Sequence, residues 1–244
     1  MIYAQYRLGK ELISSLPADM RRTIGRFRQL YDMGLHGPEL MKNSKIQKLS
    51  GMVFFERACR LVRMEHSEAA LAYLYGLIVH YSLSSRVNPL IRRRSEVLSL
   101  PGGKIRTEFD RFLLERDGKK PPHRYDRSMH IRLTPGEQET VAMFYPGVSP
   151  RAVGRSVKQL HRAMRLSAIT RRSRRDLVKT LLRISGDDLH MMALHPDRNL
   201  KSTNAELLEL YHQARTVLPD LVSQIQMRLR RKVVLGPDFS QPFA

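Results

Sequence analysis

The chain reads as an all-α protein, and three observations predict it. Helix formers such as Leu, Arg, Ala, Met and Glu dominate the 244 residues, while Gly (14) and Pro (13) are modest and Trp is absent. Apolar residues recur at intervals of three and four, the period of a helix with one buried face. Apolar residues make up 42% and charged residues 27%, a globular balance over a length that can bury a sizeable core. No internal repeat, low-complexity stretch or linker divides the chain, so a single domain over residues 1–244 is expected.

The elements follow in order. Residues 3–16 form a first helix, stopped by Pro17. Asp19 is positioned to cap a second helix through Met33, with Ile24, Phe27, Leu30 and Tyr31 on one stripe. The segment Gly34-Leu-His-Gly-Pro38 breaks it, and a third helix runs from about Gly51 to Met64. Ser67 caps a central helix from Glu68 to about Leu83, apolar nearly all round and so buried on most faces. Asn88-Pro89 closes that region. Lys104 to Glu115 is amphipathic, and Asp117 to Leu133 is an extended polar connection. Thr134-Pro-Gly-Glu137 has the form of a capping box, and Ser149-Pro150 opens another helix to about Leu166. Asp176–Ile184, Glu206–Val217 and Asp220–Arg231 supply the rest, and a short Pro-bearing tail follows Val234.

Charge is the outlying quantity. Lys and Arg total 43 against 23 acidic residues, a formal +20. Such a field attracts polyanions: nucleic acid, phospholipid head groups or phosphodiester ligands. Arginines cluster at Arg21–Arg22, Arg92–Arg94, Arg171–Arg175 and Arg228–Arg231, and guanidinium forks suit phosphate oxygens. A solvated, highly charged surface accounts for the same clusters without a ligand. Cys59 is the only cysteine, which excludes an internal disulfide and a Cys-based zinc cluster. The apolar run Ala69–Leu83 is too short to span a bilayer and carries His80. The N-terminus has no apolar signal core, so a cytoplasmic location is expected.

Chemistry is concentrated at His80, with Ser84 and Asn88 following at i+4 and i+8 on nearly the same helix face. A His-x-x-x-Asp-x-x-x-His ligand row would be sensible there, but serine and asparagine bind zinc poorly. The bland alternative is a buried histidine satisfied by a hydrogen bond. The tripeptide His195-Pro-Asp197 copies the loop of J-domain co-chaperones, but Gly186-Asp-Asp188 interrupts the helix that should lead into it. A plain capping turn is the better reading.

Several stretches resemble the bacterial zinc-dependent phospholipase C-like family. They are Arg22 to Glu39, Ala72-Tyr-Leu-Tyr-Gly-Leu-Ile-Val-His-Tyr81, Thr107 to Leu114, Pro121-Pro-His-Arg-Tyr-Asp126 and Leu207 to Ala214. The resemblance implies the helical fold shared by phospholipases C and P1-type nucleases, in which His, Asp and Glu hold zinc ions that activate water against a phosphodiester. Of the ligand positions it implies, His80 matches and Glu39 keeps a carboxylate. The others fall on Gln5, Gln47, Ser84, Asn88, Gly102 and Arg106. Zinc in a catalytic site takes about three protein ligands per ion. The expectation is therefore a divergent member that binds no zinc or only part of the cluster, impaired or inactive, which could bind anions through Arg92, Arg93, Arg94 and Arg106. Two alternatives stay open. An active phosphodiesterase or phospholipase could use a rearranged site with ligands from His36, His123, His130, His161 or Asp126. A basic nucleic-acid-binding protein is the other.

Overall fold

The computed structural model describes residues 1–37, 49–119, 124–168, 196–230 and 233–243. Among them are nine α-helices and no strand, only an isolated bridge between Ser50 and Pro242. The helices are α1 (Ile2–Ser15), α2 (Ala18–Arg26), α3 (Arg28–Gly34), α4 (Gly51–Glu65), α5 (Glu68–Val97), α6 (Gly102–Arg116), α7 (Pro135–Met143), α8 (Pro150–Ser167) and α9 (Lys201–Leu229). No helix among the described residues is long and apolar enough to cross a membrane.

The centre is α5. Ser67 caps it by accepting from the Ala70 amide, and Tyr73, Leu74, Leu77, Ile78, Val79 and Leu83 on it are fully buried. Its most extensive partners are α3 and α9. Against α3 the backbones touch: a Cβ on Gly76 would lie 2.2 Å from the Tyr31 carbonyl oxygen and 2.8 Å from Gly34 Cα. Only two glycines permit that approach. Against α9 the Ser82 hydroxyl donates to the Ala214 carbonyl at 2.9 Å.

Three boundaries depart from the sequence expectation. The predicted second helix is two helices, broken at Phe27 (φ −117°, ψ 44°), and the break turns α3 so that Gly34 meets Gly76. Asp19 lies in the first turn of α2 and is not its cap. Central helix α5 does not stop before Pro89 but runs through it to Val97. The two predicted C-terminal helices are one, with Pro219 inside α9. An interior proline costs roughly 3 kcal/mol. Here the buried stripe continues past each one, through Leu90 and Ile91 and through Leu221, Val222 and Ile225, and tertiary burial outweighs the local penalty. The Thr134–Glu137 capping box and the Ser149 cap form as expected. The predicted helix Asp176–Ile184 lies outside the described residues.

The tail does pack. Gly51 donates its amide to the Gln241 carbonyl (2.7 Å), and Phe243 donates its amide to the Leu49 carbonyl (2.9 Å). These bonds set Phe243 flat on Phe54, with Phe55, Tyr81 and Phe239 completing a buried aromatic group. The Tyr81 hydroxyl donates to the Asp238 carbonyl at 3.0 Å.

Candidate functional site

His80 emerges from α5 into a buried polar knot. Gln5 of α1 and His36, just after α3, meet it there, exposed by 1% and 0%. Oriented to satisfy its neighbours, the Gln5 amide accepts from His80 Nδ1 at 2.8 Å and donates to His36 Nδ1 at 3.1 Å. The Met1 and Leu35 carbonyls also lie on its donor side, at 2.9 and 3.0 Å. This assignment fixes the tautomers. His36, accepting at Nδ1, carries its proton on Nε2 and donates it to His130 Nε2 at 2.8 Å. Tyr6 stacks on the His130 ring, with centroids 4.2 Å apart.

Two devices hold Gln5 in place. The N-terminus of α1 has no side-chain cap of its own. Asp110 of α6 substitutes, its buried carboxylate accepting from the amides of Tyr3 (3.1 Å) and Ala4 (2.9 Å). Arg127 lies 3.8 Å from the same carboxylate. The Tyr31 hydroxyl then ties α3 to α1 by donating to the Gly9 carbonyl at 2.8 Å.

Burial sets the charge of the knot. It holds His36 well below the ordinary imidazole range, with the nearby His130, N-terminal ammonium and His80 acting in the same direction. Burial also pushes His130 down to about 4, helped by Arg28 and opposed by Asp126. Both rings are neutral at pH 7. Below pH 6.5 the unfolded chain takes up protons that folded His130 refuses until about pH 4, so stability falls as the pH falls through that window. The expected loss from His130 is about 2 to 3 kcal/mol, solvent screening at the half-buried ring trimming the upper figure. Asp32, whose carboxyl burial raises to about 6, works in the opposite sense over the same range. The readout is therefore the stability difference between the wild type and His130→Gln, measured by urea unfolding from pH 7 to pH 4. It should shrink as the pH falls, and a constant difference would mean that His130 takes up its proton equally readily in the folded and the unfolded chain.

The other expected ligand positions form a second group, about 12 Å along α5 at 1.5 Å per residue. Arg106 of α6 donates to Asn88 Oδ1 at 2.7 Å, and a Cβ on Gly102 would sit 3.4 Å from the Arg106 guanidinium. Ser84, between the two groups, is buried, and its hydroxyl finds no hydrogen-bond partner among the described residues. Glu39, Gln47 and His123 lie outside the described residues. Asp126 is taken up by Ser128, accepting from its amide (2.8 Å) and hydroxyl (2.6 Å). His161 lies partly buried on α8, away from these contacts. Of the four arginines weighed for anion binding, Arg93 and Arg94 both meet Glu206 of α9, Arg106 is held by Asn88, and Arg92 is exposed.

This donor set does not fit a zinc cluster. No group of three or more His, Cys, Asp or Glu among the described residues is arranged to hold a metal. Two imidazoles on a tetrahedral zinc, with Zn–N of about 2.0–2.1 Å, would hold their nitrogens roughly 3.3 Å apart. His36 and His130 are closer than that and share a proton instead. Access is equally poor. The cleft at His130, walled by Tyr3, Tyr6, Tyr125, Asp126, Arg127 and Met129, encloses about 10 Å³, room for roughly one water. A larger hollow of about 540 Å³ lies elsewhere, between Arg60, Arg63, Met64, His66 and Leu229, and holds no carboxylate or nucleophile.

Sequence reasoning had His36 and His130 only as candidates without a position, and read Gln5 only as a lost ligand. Asp110 was missed. Its signal was a carboxylate three and four residues before Leu113 and Leu114 on a face that should be apolar. Asp197, from the J-domain-like tripeptide, accepts from the Asn199 amide (3.1 Å) and pairs with Lys104 (2.7 Å), which is the capping turn. No family model, no curated protein and no solved structure matches this chain.

Proposed function

We propose that the chain is a non-catalytic relative of the zinc-dependent phospholipases C, a helical scaffold whose metal cluster no longer assembles and whose basic surface binds phosphate-rich anions. One observation carries the reading. Positions that the resemblance treats as co-ligands lie together in pairs, Gln5 with His80 and Asn88 with Arg106, but amide and guanidinium chemistry has replaced the ligands. A guanidinium now sits where an anionic ligand would face a cation, and an amide from within the protein engages His80 Nδ1. Amide and guanidinium groups offer a metal neither a carboxylate oxygen nor an imidazole lone pair, so of these four positions only the His80 ring could still ligate.

A rearranged, working metal site is the second reading, favoured by the single network that joins His36, His80 and His130. One experiment separates the two. Protein equilibrated with zinc and dialysed is expected to retain well under one zinc per chain by elemental analysis, and to leave a chromogenic phosphodiester unhydrolysed. Two or more zinc ions per chain, with hydrolysis that falls in His130→Gln, would overturn the proposal in favour of the second reading.

A further inference from the structure

Helix α8 carries an unusual row. Arg151, Arg155, Lys158, Arg162 and Arg165 are spaced i, i+4, i+7, i+11 and i+14, and all five are exposed. At 3.6 residues per turn they fall within a stripe about 80° wide, and at 1.5 Å per residue the row is about 21 Å long. The helix has no Asp or Glu, and no carboxylate among the described residues pairs with any of the five. That contrasts with Arg28, Arg94, Arg111 and Arg228, each held by an acid. On α7, against which α8 packs, Glu137 is engaged in the capping box and Glu139 is exposed.

A row of like charges repels itself by a few tenths of a kcal/mol per i,i+4 pair. No ion pair among the described residues offsets that repulsion. The opposite face of α8 is already used, with Val153, Val157 and Met164 buried. The exposed large apolar side chains are Val53, Met64, Val97, Met129, Met227 and Val234, and none lies on α8. An interfacial membrane helix needs free apolar side chains to insert beside its cations, and none of the exposed ones among the described residues lies beside this row. A straight, apolar-free row of cations instead complements a linear polyanion.

We infer that the exposed face of α8 docks along the phosphodiester backbone of a nucleic-acid duplex, without reading its sequence. A duplex carries one negative charge per about 1.7 Å of axis, so a 21 Å row has more phosphates than cations, and each of the five can be matched. This inference rests on the anion-binding half of the proposed function and is independent of the metal site.

The test is fluorescence anisotropy of the full chain with a labelled 20-base-pair DNA duplex of arbitrary sequence over a range of salt. The logarithm of affinity should fall against the logarithm of salt with a slope of about −4.5, about −0.9 per phosphate neutralised. Combining Arg155→Gln, Lys158→Gln and Arg162→Gln should bring the slope to about −2 and weaken binding at least tenfold, because each phosphate contact contributes roughly one unit. Glutamine keeps helix propensity, and circular dichroism checks the fold. The control triple Arg57→Gln, Arg60→Gln, Arg116→Gln removes the same charge from other exposed positions and should leave the slope unchanged. The inference is overturned if the control lowers the slope as much as the α8 triple does, or if the duplex does not bind. Should the duplex fail while phosphatidylserine-containing vesicles or inorganic polyphosphate bind, this docking assignment falls and anion binding survives. If no anion binds, both fall.

Discussion

Replacing Gly76 with alanine is expected to lower the unfolding free energy by about 3 kcal/mol, the upper range of overpacking. The new methyl would stand 2.2 Å from the Tyr31 carbonyl oxygen and 2.8 Å from Gly34 Cα, and both neighbours are backbone. A flexible side chain could swing away, but two helices must separate here. Separation moves α3, and with it Leu35 and His36, so the polar knot should loosen as well. Urea unfolding should show a lower midpoint with little change in slope, and a melting temperature lower by roughly 6 to 12 °C for a chain of this size. Gly25→Ala is the matched control. Gly25 is exposed in α2, and a Cβ there meets nothing within 4 Å. Alanine should stabilise by up to about 0.5–1 kcal/mol through helix propensity alone. Equal effects at the two positions would refute the close helix contact.

Asp110→Ala should be comparably severe, about 3 kcal/mol. It strips the carboxylate from the Tyr3 and Ala4 amides and from the buried Arg127 neighbourhood at once. Asp110→Asn keeps one acceptor oxygen and should cost roughly half as much. Hydrogen exchange supplies a local readout: the Tyr3 and Ala4 amides should exchange much faster in Asp110→Ala. If their protection stays unchanged, the cross-helix cap is not what anchors α1.

Much of this architecture was legible in the residues. Ser67, Thr134 and Ser149 mark three helix starts because a short oxygen-bearing side chain can satisfy a free amide. The near-continuous apolar run after Ser67 identified the buried central helix for the same kind of reason, since only a helix packed on most sides tolerates it. Pro89 and Pro219 misled because a local rule met a larger tertiary term. Phe27 misled because the bend there serves the Gly34–Gly76 contact, which lies more than forty residues away in sequence and leaves no trace in periodicity.

The site was legible in kind but not in arrangement. Gln5, Ser84, Asn88 and Arg106 could be recognised as chemically wrong for zinc one position at a time. Their pairing into Gln5–His80 and Asn88–Arg106 needed the folded chain. Histidines 36 and 130 are 94 residues apart, and no local pattern links them. The cationic row on α8 was readable from spacing, but its freedom from carboxylates was not.

The seating of Phe239 and Phe243 against Phe54, Phe55 and Tyr81 has a consequence for biogenesis. Part of the wall beside His80 is made by residues synthesised about 160 positions after it. A growing chain on the ribosome must hold that wet aromatic surface open until the last of these residues has left the exit tunnel. Loop closure across such a span makes folding slower than in helical bundles of neighbour-to-neighbour connectivity.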